Sequence, residues 1–183
     1  MSAPVSTTQQ ARAVLAAAGQ LLDYPDAAWF AELPALAATL EGLPAGPAAE
    51  ALRAFAAAAQ DSDPRAFETR YVNTFDFSNK TSLYLTSRAR ADAGIQHMDL
   101  IAYSVYFEES GYEAPNDLPD YLVALLELAS VVDDAQLERM LRGMEDDLKL
   151  LYEALVEAGI DDYANVIAAV RETGRAVTQE VAG

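Results

Sequence analysis

His97 is the only histidine in the chain, and there is no cysteine. An imidazole metal site ordinarily gathers two or three such ligands, and a nucleophilic triad needs a positioned base. Without thiols, a disulfide frame, a thiolate zinc site and a thiol nucleophile are all excluded. Carboxylates are the remaining candidates, in the pairs Asp133-Asp134, Asp146-Asp147 and Asp161-Asp162. Neighbouring helix positions do not face each other, so Asp146-Asp147 makes a poor acid/base pair. The other two pairs stand just before predicted helices, where carboxylates satisfy free N–H groups and complement the dipole. No glycine-rich phosphate loop, HExxH, GxSxG or calcium-loop pattern occurs. The residues argue for recognition rather than catalysis, and a small helical hydrolase working through carboxylates is the enzymatic alternative.

Two segments could carry recognition: YVNTFDFSNKTSLYLT at 71–86 and GYEAPNDLPDYLVALLELAS at 111–130. Each sets large apolar side chains around a polar break and beside acids. One reading is core plus a capped helix start, with Asp117 as the cap and Leu118, Pro119 and Asp120 in the first turn. The other is a groove for an amphipathic peptide whose basic residues meet the carboxylates. Spacing alone leaves both open.

The elements that must position these segments are helical. Val14, Leu15, Ala18, Leu21 and Leu22 form one stripe behind a capping box at Ser6, and Tyr24-Pro25 stops that helix. Asp26 caps a second helix, which Pro34 is expected to break or restart. The connector 42–47 is rich in Gly and Pro, and Asp63-Pro64 is a strong start signal. Phe67, Tyr71 and Phe75 recur every four residues and share a buried face. A helix is expected from Thr81 or Ser82. Another follows at 95–110 with Met98, Ile101, Val105 and Tyr106 or Phe107 inward, and more at 121–130, 135–158 and 163–177.

The 183 residues read as a single all-α domain, a bundle of about eight helices, with 1–6 and 178–183 frayed. Twelve Lys and Arg against 29 Asp and Glu give a net charge of −17. That field repels nucleic acid and anionic lipid and favours cationic or amphipathic partners. No secretory signal and no apolar run of spanning length appears, which points to a cytoplasmic protein without membrane insertion.

The segments 71–86 and 111–130, with LLDYPD at 21–26, closely resemble the matching blocks of the NarJ-type chaperones of respiratory nitrate reductase, within the TorD group of redox-enzyme maturation chaperones. The resemblance runs from about residue 15 to 130 and implies a TorD-like, non-catalytic helical domain. Such a protein binds the N-terminal segment of the apo catalytic subunit, holds it for molybdenum cofactor insertion and delays its membrane docking. The molybdenum cofactor and iron–sulfur cluster belong to the client, so the chaperone needs none of its own. Tyr71, Phe75, Asp76, Phe77, Leu83, Tyr84 and Leu85 match the first motif; Leu118, Pro119, Asp120, Tyr121 and Glu127 match the second. The resemblance makes the apolar members walls or supports of a client groove, with Phe77 and Leu83–Leu85 the foremost candidates for contact. Asp120, with Asp76 or Glu127, meets basic client residues, and Asp120→Ala is expected to weaken binding without unfolding. Where many relatives carry Asp-His, this chain has Asp120-Tyr121, which favours recognition over proton or metal chemistry. The family also contains helix-exchanged dimers, so monomer and dimer both remain open. Alternatives are a chaperone for another oxyanion reductase or a hydrocarbon dehydrogenase, or a helical interaction module that is no chaperone.

Overall fold

Aspartate and proline set most of the helix starts. The structure, a computed structural model, describes residues 7–87 and 93–181. Eight α-helices occupy them: α1 Thr7–Leu22, α2 Ala27–Glu41, α3 Pro47–Gln60, α4 Pro64–Phe75, α5 Ala93–Ser110, α6 Leu122–Val131, α7 Asp134–Glu157 and α8 Asp161–Val181. The carboxylates of Asp26, Asp63 and Asp133 accept from Trp29 N, Ala66 N and Gln136 N, at 2.8, 2.9 and 2.8 Å. Each thereby satisfies an N–H that has no partner inside the helix. The Ser6 capping box and the fraying of 1–6 lie outside the described residues, as do 182–183. α8 runs to Val181 rather than ending at 177.

α7 and α8 pack along one another, α1 lies against α6 and α8, and α3 against α2 and α8. At one end of this bundle sits an aromatic cluster. Phe67, Tyr71 and Phe75 are each at most 5% exposed, as their spacing on one helix face requires. Phe75 and Phe55 lie 4.8 and 4.9 Å from the Tyr163 ring, and Trp29 stacks on Phe67 at 5.4 Å. The Tyr71 hydroxyl donates to the Leu22 carbonyl at 2.9 Å, tying α4 to the end of α1. Among the described residues no helix is long and apolar enough to cross a membrane.

Four expectations fail, each for a local reason. Pro34 neither breaks nor restarts α2, which is continuous through it. Pro34 faces solvent, where water can satisfy the carbonyl its missing N–H leaves free. No helix begins at Thr81 or Ser82; residues 81–84 are extended and turn-like, followed by a 3-10 turn at 85–87. Asp117 does not cap α6, which begins only at Leu122 with Tyr121 at its N-cap. The segment before α6 instead pairs with the chain near Tyr84. Finally, α5 is turned relative to expectation. Phe107 is buried as expected, together with Tyr103, but Met98, Ile101 and Val105 face out.

Candidate functional site

The two motif segments meet through their backbones. Leu85 N donates to the Asp120 carbonyl at 3.0 Å, and Leu122 N donates to the Leu83 carbonyl at 2.9 Å. These bonds form an isolated antiparallel bridge between Tyr84 and Tyr121, whose rings lie 5.1 Å apart at 31°. An extended chain alternates its side chains. Leu83 and Leu85 therefore point into the core, at 3% and 1% exposure, and Tyr84 between them stays accessible. That corrects the expectation that Leu83 and Leu85 are free for contact.

Asp120 holds the bridge from inside. It is 3% exposed, and its Oδ2 accepts from Thr86 N at 3.1 Å and Thr86 Oγ1 at 2.8 Å. Thr86 is itself 2% exposed, so both donors find their acceptor out of bulk water. Burial pushes the Tyr121 phenol up to about 12, with the Asp23 carboxylate adding to the rise. Tyr121 is thus neutral across the physiological range and can donate, stack and fill space, but it cannot shuttle protons near pH 7.

Above Asp120 opens a recess of about 340 Å³, lined by Tyr84 and Thr86 from the first segment, Ser87 just after it, and Leu118 from the second. α5 closes it with Gln96 and Leu100. Leu118 is 39% exposed on the rim. Glu127 does not reach this recess. It borders a separate cleft of about 240 Å³ with Phe107, Tyr112, Glu113, Leu128 and Val131. Asp76 ends α4, and Phe77 beside it is 77% exposed; neither lines this recess or that cleft. Tyr71, Phe75 and Pro119 are buried. Of the predicted site residues, the structure gathers Tyr84, Leu118 and Asp120 at one recess, with Tyr121 stacked beside them. Sequence reasoning missed Thr86, Gln96 and Leu100. The alternation around Tyr84 was the available signal for the bridge, and nothing local signalled that α5 would border it.

Four of the six paired aspartates have structural partners, Asp133 as the cap of α7 among them. Asp134 pairs with Arg12 at 2.6 Å, Asp162 with Arg70 at 2.5 Å, and Asp147 accepts from the Tyr103 hydroxyl at 2.5 Å. His97 lies exposed on α5. Among the described residues no group of three His, Asp or Glu side chains is arranged to hold a metal ion.

Comparison with known proteins gives a consistent result. The profile of the nitrate reductase delta subunit family matches residues 42–169, which include both motif segments. The nitrate reductase-like protein NarX of Mycobacterium tuberculosis (strain H37Rv) is 32% identical over 158 residues, covering 86% of this chain and 24% of NarX. The probable nitrate reductase molybdenum cofactor assembly chaperone NarJ of Bacillus subtilis (strain 168) is 33% identical over 114 residues, 62% of either chain. The chain thus spans about a quarter of NarX and less than two thirds of NarJ. With most of its length matched and the NarJ-type motifs paired across one recess, the chain belongs to the nitrate reductase delta subunit family.

Proposed function

We propose that this chain is a chaperone for the catalytic subunit of a respiratory nitrate reductase. It binds the N-terminal segment of the apo subunit, holds it competent for molybdenum cofactor insertion and delays its docking on the membrane anchor. It acts in the cytoplasm, carries out no reaction, and leaves the molybdenum cofactor and iron–sulfur cluster to the client. The observation that carries this reading is the bridge that brings the two motif segments to one recess, with Tyr84 and Leu118 at its edge and the Asp120 carboxylate at its floor. Family membership and the chaperone relative NarJ support it.

The recess suits an anchor-and-charge contact. An apolar client side chain covers Tyr84 and Leu118, and a basic neighbour approaches the acidic floor. Asp120 is foremost a latch that holds both segments in register, and its charge reaches the client only across the recess. The net charge of −17 speeds encounter with a cationic peptide and makes binding weaken with salt.

Isothermal titration with a synthetic peptide of the N-terminal segment of the co-encoded catalytic subunit tests the reading, with a scrambled peptide as control. Saturable binding that weakens as salt rises is expected. Absence of binding up to about 1 mM peptide would overturn it.

A further inference from the structure

The bridge fixes the backbones of Tyr84 and Tyr121 but not their rings. Its bonds run from Leu85 N to the Asp120 carbonyl and from Leu122 N to the Leu83 carbonyl. Each tyrosine can still turn about χ1 and χ2, so side-chain contacts must select one rotamer. For Tyr84 that contact is the Tyr121 ring, 5.1 Å away at 31°. Among the described residues it is the one aromatic ring against Tyr84. Tyr84 also borders the recess, so whatever orients Tyr121 orients a wall of the recess.

Tyr121 takes its orientation from the end of α1. Its phenol interacts with the Tyr71 hydroxyl and lies in the field of the Asp23 carboxylate. Tyr71 itself cannot turn away. It is 4% exposed, and its hydroxyl donates to the Leu22 carbonyl at 2.9 Å. The Phe75 and Tyr24 rings stand against it at 4.8 and 5.6 Å. A phenol carries one proton, and Tyr71 gives its own to Leu22. Between the two tyrosines, Tyr121 is therefore the donor and Tyr71 the acceptor. Leu22, Asp23 and Tyr24 belong to LLDYPD at 21–26, the motif block that the recess does not contain. The three blocks thus join in one line, from Leu22 through Tyr71 and Tyr121 to Tyr84.

We infer that Tyr121 is a positioning residue of the client recess, acting through Tyr84. Its hydroxyl, held by Tyr71, sets the angle of its ring, and the ring holds Tyr84 in place at the recess. One wall of the recess is thereby oriented before anything binds, and little rotamer freedom of Tyr84 is lost on binding. LLDYPD supplies the fixed point from which that orientation is taken. A ring that only filled space beside Tyr84 would need no hydroxyl, and Tyr121→Phe separates the two cases. What the recess binds is taken from the chaperone reading, on which this inference rests; the orientation of Tyr84 is a property of the free chain.

The test compares wild type, Tyr121→Phe and the control Tyr163→Phe, which removes a buried hydroxyl with no hydrogen-bond partner among the described residues. Carbon-13-labelled tyrosine rings are followed by NMR in the free chain, with the Tyr84 signal assigned by its loss in Tyr84→Phe. The N-terminal peptide of the co-encoded catalytic subunit is then titrated, and thermal melting is recorded. Tyr121→Phe is expected to shift and broaden the Tyr84 signal and to bind about three- to tenfold more weakly. Its melting point should stay within about 2 °C of wild type. Tyr163→Phe keeps the wild-type Tyr84 signal and affinity. Tyr71→Phe, which removes the acceptor, should move the Tyr84 signal as Tyr121→Phe does. The double variant Tyr71→Phe/Tyr121→Phe should bind no more weakly than the weaker single variant. If Tyr121→Phe melts early, the Tyr84 signal read well below its melting point still decides. An unmoved Tyr84 signal in Tyr121→Phe overturns the inference and leaves the chaperone reading standing. So does a moved signal with affinity within about twofold of wild type. No binding by wild type removes the chaperone reading and the role at the recess with it, while the Tyr84 signal still decides the placement.

Discussion

Replacing Asp120 asks whether the bridge between the motif segments is held by its buried carboxylate. One oxygen, Oδ2, accepts from both Thr86 N and Thr86 Oγ1, at 3.1 and 2.8 Å. Hydrogen bonds to a charged group contribute about 1.5–3 kcal/mol each, and a buried donor left unpaired costs about 1–3 kcal/mol. Asp120→Ala removes both bonds and strands two donors of a residue that is 2% exposed, so a loss of about 3 kcal/mol is expected. Asp120→Asn keeps an amide oxygen in the same place and loses only the charge, at about 1 kcal/mol. In a chain of this size each kcal/mol moves the thermal midpoint by roughly 2–4 °C, which puts Asp120→Ala about 6–12 °C lower. Urea unfolding followed by circular dichroism, with Thr86→Val completing a double-mutant cycle, should show coupling of about 1–2 kcal/mol. A loss below about 1 kcal/mol for Asp120→Ala, or no coupling to Thr86, would refute the latch. These bonds set a stability cost beside the loss of client binding expected for Asp120→Ala, so Asp120→Asn is the cleaner probe of client binding.

Three further outcomes follow from the packing and charge. Gly143→Ala should cost about 1–3 kcal/mol by overlapping the Tyr106 hydroxyl, and adding Tyr106→Phe should recover most of that loss in urea unfolding. The Tyr163 hydroxyl is buried without a hydrogen-bond partner among the described residues, so Tyr163→Phe should leave stability unchanged or raise it by up to about 1 kcal/mol; a clear loss would reveal a partner. Burial alone would raise the Glu145 carboxyl, but bonds from Arg171 and Arg175 outweigh it and hold the carboxyl below its ordinary value of 4.5. Its contribution to stability is therefore present above pH 4.5 and fades as pH falls through the lower folded value. The stability gap between wild type and Glu145→Gln, followed by urea unfolding across pH, should be flat near neutrality and shrink in that acid range.

Local signals read well because their physics is local. Asp26, Asp63 and Asp133 cap helices whatever surrounds them, and the four-residue spacing of Phe67, Tyr71 and Phe75 determines a shared face. The failures are tertiary. Residues 81–87 lack a helix because their neighbours give Leu83 and Leu85 backbone partners at Leu122 and Asp120, far along the chain. The start of α6 moves from Asp117 to Leu122 for the same reason. In α5, apolar residues surround the helix, so periodicity offers two equivalent inner faces; the contacts of Tyr103 and Tyr106 with α7 decide between them. The two motifs identified segments that meet in space, but only the bridge separates Tyr84 and Leu118 at the recess from Leu83 and Leu85 in the core. Glu127, adjacent in sequence logic, belongs to another cleft.

The central proposal is that this chain readies a nitrate reductase catalytic subunit for its molybdenum cofactor. The most direct measurement is the molybdenum content of that subunit, purified from cells with and without this gene and normalised to protein. The account predicts that the subunit still accumulates without the chaperone but carries little molybdenum, and that expression of the wild-type chain restores it. Full molybdenum occupancy in the absence of the gene would contradict it.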